Sequence, residues 1–382
     1  MNFNLTEEQQ MLQDSLRRFL TNEYGFEKRG TIIESGQGFD DATWKAFADM
    51  GLLGFTFPED VDGLGGNAID TMLVMESFGH ALVVEPYLST VVLCGGLVRD
   101  AGTPSQKSSI LPHIASGEHM MAFAHSESGA RYNLNHVKTT ATADGDSYRL
   151  NGHKTAVLHG AQADQLIVSA RTGGATADAE GLSLFIVDRA TDGVQVQDFA
   201  THDGHRTAEV TLTDVKVSAD ALLGEANKAA PHIEKAVDLA IAALCAEAVG
   251  AMEALNATTL EYIKTRKQFG VAIGKFQVLQ HRMADMFIAA EQAKSMSILA
   301  ASEADSDDRA TRREAISMAK TLVGQSARYV GQQAVQLHGG MGVTDEMFAA
   351  HLFKRLTLIN LLFGDADHHL AQVSDQLLAE SA

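Results

Sequence analysis

From about residue 225 to its C-terminus the chain reads as one helix after another, and this limits the fold more than any other feature. Residues 232–267 are unusually rich in Ala and Gly, whose small side chains let helices approach closely in a bundle. Residues 276–304 and 308–337 continue the helical texture, and residues 341–370 supply a last helix.

The N-terminal part is also helical, to about residue 118. Thr6 is a good N-cap before a helix over residues 7–19 with an acidic first turn. A second helix is expected over 41–50, ending at Gly51, and helical periodicity resumes over 69–81 after a glycine-punctuated loop. Pro58 and Glu59 belong to that loop as a plain interhelical turn. Between these helical regions the texture changes. Residues 120–124, 139–143, 148–151, 165–170, 182–187 and 208–212 are short strand-like runs divided by Gly and Asp turn signals, as in a small β barrel or sandwich. The expected domains are therefore residues 1–118 (helical), 119–224 (β) and 225–382 (a helical bundle), and the fold class is α+β.

A net charge of -19 argues against nucleic-acid binding, which needs a concentrated basic surface. Cys94 and Cys245 lie far apart without metal-site spacing, so neither a disulfide framework nor a zinc site is expected. His338, His368 and His369 form no metal pattern and read as polar ring contacts or exposed residues. No apolar stretch approaches the ~20 residues of a membrane span. The first residues lack a basic segment followed by an apolar run, so a cytoplasmic location is expected.

Two stretches carry chemistry. Tyr262 to Gly270 reads Y-I-K-T-R-K-Q-F-G, with Tyr262 and Arg266 one helical turn apart and Gly270 a candidate helix end. A guanidinium held there suits bidentate recognition of a pyrophosphate. Gln336 to Gly342 reads Q-L-H-G-G-M-G, in which Gly339, Gly340 and Gly342 allow close backbone approach to a ligand and Gln336 offers donors and an acceptor.

Together these stretches resemble the two signatures of the acyl-CoA dehydrogenase family of flavoproteins, and the likeness runs in order along nearly the whole chain. It implies an N-terminal helical domain, a small central β domain and a C-terminal four-helix bundle, assembled as a tetramer. It also implies FAD as cofactor, an acyl-CoA substrate and an electron-transfer flavoprotein or similar acceptor. Cofactor-binding roles carry over to Arg266, Gln268, Phe269, Phe276, Gln277, Gln336, Gly339 and Gly340. In the β domain, A-F-A-H-S-E-S-G resembles the loop under the flavin ring and assigns its hydroxyl to Ser126. In L-N-G-H-K-T-A-V-L-H-G the usual flavin-packing Trp is replaced by Ala156, and the following Thr slot holds Leu158.

The resemblance requires a carboxylate to take the α proton while the β hydride leaves to flavin N5. The commoner base slot, before Gly in a Tyr-Glu-Gly-Thr segment, is occupied here by Phe363 in L-F-G-D. The second slot, 26 residues before the pyrophosphate arginine, falls on Ala240. Three substitutes can be weighed. Asp365 lies in the Thr slot and is the candidate base, with turn stabilisation as its other reading. Asp238 points about 200° away from Ala240, and Glu247 lies ~10 Å further along the helix, where an interface salt link would explain it better. Cofactor handles without a base resemble two-gene heteromers, and the ending F-G-D-A-D-H-H-L resembles the small subunit of pimeloyl-CoA dehydrogenase. That implies a dicarboxylyl or bulky acyl-CoA and a catalytic partner chain. The alternatives are a non-catalytic subunit that stabilises a partner and its flavin, and a flavin monooxygenase on the same fold.

Overall fold

The computed structural model describes residues 5–380. Helices α1 (Glu7–Glu23), α2 (Phe26–Ser35), α3 (Asp41–Asp49), α4 (Ala68–Ala81), α5 (Gly96–Ala101) and α6 (Pro104–Ala115) come first. They are followed by strands β1 (Met121–Ala124), β2 (Thr140–Asp144), β3 (Ser147–Leu158), β4 (Gln165–Arg171), β5 (Leu182–Asp188), β6 (Val194–Ala200), β7 (Arg206–Ser218) and β8 (Leu222–Leu223). Helix α7 (Ala230–Thr265) leads through a small hairpin, β9 (Lys267–Gln268) and β10 (Val271–Ala272), to α8 (Gln277–Glu303), α9 (Arg309–His338), α10 (Phe348–Leu361) and α11 (Ala366–Glu380).

The chain divides into two compact units. The first comprises the described residues of Met1–Thr31, Asn67–Val83 and Ile241–Ala382, and the second comprises Ile32–Gly66 and Val84–Ala240.

In the first unit, Thr6 closes a capping box with Gln9 at the start of α1, as its sequence position predicts. The Ala/Gly content of α7 has a specific use where α4 crosses it. A Cβ on Gly250 would lie 1.8 Å from the Glu76 carbonyl oxygen, and one on Gly79 would lie 1.9 Å from that of Glu247. The two backbones touch, and only glycine fits at either place. The expected single helix over 341–370 is instead two. The α10 helix stops before Leu362, Phe363 and Gly364 take φ of 56° and 116°, and Asp365 starts α11 by accepting the His368 N–H at 2.9 Å. Left-handed backbone at two successive residues cannot continue a helix.

The second unit is built on one sheet in the order β6–β7–β3–β2–β4–β5–β8, with β1 parallel to β4. Leu150, Leu166, Val168, Phe185, Val210 and Val215 form its core. Two of its elements differ from expectation. The β3 strand runs on past residue 151 through a register shift between Lys154 and Val157, where Ala156 has φ of 52°. The β6 strand, absent from the strand-like runs read from sequence, pairs β7 along its whole length as a half-exposed edge. Leu88–Gly95 forms a π-helix whose Thr90 hydroxyl donates to the Met121 carbonyl at 3.0 Å and accepts that residue's N–H at 3.2 Å.

Candidate active site

The two signature stretches meet within the first unit. The Tyr262 hydroxyl donates to the His338 carbonyl at 3.2 Å, and the two rings stack with centroids 4.4 Å apart. His338 is buried, its Nδ1–H donates to the Ala334 carbonyl oxygen at 2.8 Å, and burial holds its imidazole below the usual histidine range. Gly270 is not the end of the helix. The α7 helix stops at Thr265, and Phe269 and Gly270, with φ of 53° and 80°, form the turn of the β9–β10 hairpin. Two successive positive φ angles match the tight hairpin turn whose twist suits the flanking strands. Arg266 therefore stands at the hairpin entrance, where its carbonyl accepts the Ile273 N–H at 2.8 Å.

Arg266, Gln268, Phe269, Phe276, Gln277, Gln336, Gly339 and Gly340 are all exposed, and the Phe269 ring is 90% accessible. Phe269 and Phe276 meet edge to face at 6.2 Å. A Cβ on Gly339 or Gly340 would meet nothing within 4 Å, whereas one on Gly342 would lie 2.8 Å from the Val335 carbonyl oxygen. Gly342 thus serves internal packing rather than ligand approach.

The base slot lies at the α10–α11 break. Lys320 of α9 is buried and donates through Nζ to the Leu362 carbonyl at 2.9 Å and to the Ile359 carbonyl. The buried His369 ring reaches the Phe363 carbonyl at 3.2 Å through Nε2 and the Ser317 hydroxyl at 3.3 Å through Nδ1. Burial first, then the nearby Lys320 charge, pull the His369 pKa down to about 3, so the ring is neutral. Asp365 is half-buried as the N-cap of α11. Glu247 is bound within its own bundle rather than at an interface, by the Nε–Nη2 edge of the Arg355 guanidinium. Ala240 and Asp238 are fully buried in the second unit.

In the β domain, Ser126 is exposed and its carbonyl accepts the Thr155 N–H at 2.8 Å. The loop is held from below by buried groups. Lys154 donates to Glu127 at 2.7 Å, and Glu127 also accepts from the Thr139 N–H, the Thr139 hydroxyl and the Lys138 N–H. Phe123 stacks on His125 at 5.1 Å. Sequence reading missed Lys154 and Lys320 as organising residues, while His369 is the polar ring contact that was one of its two readings. The signal available was a lysine set among apolar neighbours, which in A-I-S-M-A-K-T-L is a cation on a buried helix face.

Models of the acyl-CoA dehydrogenase N-terminal, middle and C-terminal domains match residues 6–118, 122–215 and 232–378. The chain belongs to the acyl-CoA dehydrogenase family. These are oxidoreductases acting on CH–CH bonds, and the helical, β and helical domains are theirs. The chain is 31% identical to a probable acyl-CoA dehydrogenase of Bacillus subtilis, YngJ, over 99% of this chain and 100% of the relative. It is 30% identical to subunit CarC of the caffeyl-CoA reductase–Etf complex of Acetobacterium woodii, over 98% and 99%. Among solved structures, the ChsE4–ChsE5 complex of Mycobacterium tuberculosis superposes with a TM-score of 0.89 at 26% identity, over 99% of each chain.

The family binds FAD, and the residues present fit its pyrophosphate–adenosine half. Arg266 offers an exposed guanidinium, Gln268, Gln277 and Gln336 offer exposed amides, and Phe269 and Phe276 offer exposed aromatic rings. In the β domain Ser126 is exposed, while Ala156 and Leu158 offer neither an aromatic face nor a hydroxyl.

Proposed function

We propose that this chain is an FAD-dependent acyl-CoA dehydrogenase subunit that binds a thioester and works with a second acyl-CoA dehydrogenase chain supplying the base. The observation that carries this reading is Phe363 in the base slot, beside an Asp365 carboxylate already engaged as a helix cap. Arg266, Gln268, Phe269, Phe276, Gln277, Gln336, Gly339 and Gly340 would reach across a subunit interface to the pyrophosphate and adenosine of a partner chain's FAD, and Ser126 would contact the ring of the FAD held by this chain's own β domain. When bound, FAD supplies the redox capacity, accepting the hydride from the β carbon.

The work of this chain's own residues is binding and polarisation. The Phe363 N–H would donate to the thioester carbonyl, which favours negative charge on that oxygen and acidifies the α carbon. A carboxylate from the partner would then take the α proton. The ChsE4–ChsE5 complex, built from two named chains, supports such a heteromer, and the likeness to CarC supports an electron-transfer flavoprotein as acceptor. The likeness of the C-terminal segment to the pimeloyl-CoA dehydrogenase small subunit supports a dicarboxylyl or bulky acyl group, in a tetrameric assembly.

Purification of the tagged chain from its native host tests this reading. A second acyl-CoA dehydrogenase chain in stoichiometric amount is expected, and a homotetramer that turns over acyl-CoA alone contradicts it, with Asp365 then the base to examine. Ala156 and Leu158 favour a second reading, a subunit that stabilises its partner's flavin without binding substrate. Acyl-CoA binding that depends only on the partner's residues would support that reading.

A further inference from the structure

The peptide unit between Leu362 and Phe363 is anchored at one end by a buried cation. Lys320 Nζ donates to the Leu362 carbonyl at 2.9 Å and also to the Ile359 carbonyl at the end of α10. A trans peptide is planar, with its N–H opposed to its C=O. Holding the Leu362 oxygen toward Lys320 therefore aims the Phe363 N–H the other way. The next peptide is held as well, because the Phe363 carbonyl oxygen lies 3.2 Å from His369 Nε2, which must donate since a carbonyl oxygen only accepts. Phe363 sits between these two anchors at φ of 56°, a conformation that costs a non-glycine residue energy and needs external support.

We propose that Lys320 is a positioning residue that both aims the Phe363 N–H and strengthens it as the hydrogen-bond donor to the substrate's thioester carbonyl. The proposal rests on the thioester-binding reading given above. A hydrogen bond from a charged donor is stronger than a neutral one. It also polarises the amide that accepts it, so the N–H at the far end becomes a better donor. The effect belongs to the backbone and is independent of the side chain at position 363. That is why it survives in a chain whose base slot holds phenylalanine. Burial lowers the Lys320 pKa to about 8, with Cys245 and Asp365 acting in the opposite sense, so the ammonium form still prevails at neutral pH.

The test compares two probes on the full-length protein as isolated, with its flavin and any partner chain. Pivaloyl-CoA has the thioester carbonyl but no α hydrogen, so it cannot be dehydrogenated. S-Neopentyl-CoA has the same shape with a methylene in place of the carbonyl. Calorimetric titration is expected to give about tenfold tighter binding of the thioester, the worth of roughly one good hydrogen bond. In Lys320→Met the preference is expected to fall to about twofold or less, with thioether affinity unchanged. Lys320→Gln, which keeps a neutral donor, is expected to lose part of the preference and serves if the Met variant does not fold. Wild-type protein that shows no thioester preference, or binds neither probe, contradicts the thioester-binding reading and the proposal with it. A preference kept intact in the variants overturns the role of Lys320 alone. Equal weakening of both probes does so too, because it marks a residue that merely supports the fold.

Discussion

Glu247 and Arg355 form a two-pronged ion pair inside the C-terminal bundle, joining α7 to α10, with Arg355 Nη2 2.7 Å from Glu247 Oε2. Both side chains are about 95% buried, so neither charge has water to fall back on. The pair also accounts for an acid among Ala, Val and Gly on a helix that carries one of the family's base slots.

Breaking that pair should therefore cost stability. Arg355→Met leaves the Glu247 charge buried without its cation and is expected to destabilise the protein by about 3–5 kcal/mol. Adding Glu247→Leu should restore most of the loss, since an apolar pair of similar volume often replaces a buried ion pair at little cost. Urea unfolding of the single and double variants measures both effects. A single variant within about 0.5 kcal/mol of wild type would contradict this account.

Acid should act on the β domain through Glu127. Burial opposes its charged form, but the Lys154 charge and the hydrogen bonds from Lys154, Thr139 and Lys138 outweigh this and hold the carboxyl below its ordinary value of 4.5. A carboxyl with a depressed folded pKa contributes stability that is present above 4.5 and lost as pH falls through the lower folded value. Unfolding free energy in this acid range should fall less steeply for Glu127→Gln than for wild type. Equal slopes would show that the Lys154–Glu127 pair does not hold the loop that carries Ser126.

Much of this was legible in the sequence, for identifiable reasons. The Thr6 N-cap and the short apolar runs that form β4 and β5 are local patterns with one physical solution each. The break at Phe363–Gly364 was legible only as a turn reading for Asp365, because its anchors, Lys320 on α9 and His369 on α11, are brought to it by helix packing. The end of α7 was misplaced at Gly270 because a positive-φ glycine marks a helix end and a hairpin turn equally well. The β6 edge strand was passed over because half its residues are polar and exposed.

Asp365 separates a cap from a base. As the N-cap of α11, its replacement by Ala should cost about 1 kcal/mol, while Asn, itself a good cap, should cost little. Thermal unfolding of the two variants checks this. Turnover by the complete assembly should persist in Asp365→Asn, and its abolition at unchanged stability would identify Asp365 as the base.

Arg266 stands exposed at the entrance of the hairpin beside Gln268 and Phe269. Arg266→Ala should lower the bound flavin by about tenfold or more in affinity, as expected for the loss of a charge-assisted phosphate contact. The flavin-to-protein absorbance ratio after gel filtration reads this directly. An unchanged ratio in a folded variant removes Arg266 from the cofactor site.

The central claim is that this chain carries the cofactor and thioester contacts of its family but takes its base from another chain. The most direct measurement is the visible flavin spectrum of the purified chain, supplied with FAD, before and after anaerobic addition of a panel of acyl-CoAs that includes pimeloyl-CoA. The chain alone is expected to stay oxidised with every thioester and to bleach once the partner acyl-CoA dehydrogenase chain is added. Bleaching of the isolated chain by any saturated acyl-CoA would show that it completes the reaction by itself, and would contradict the account.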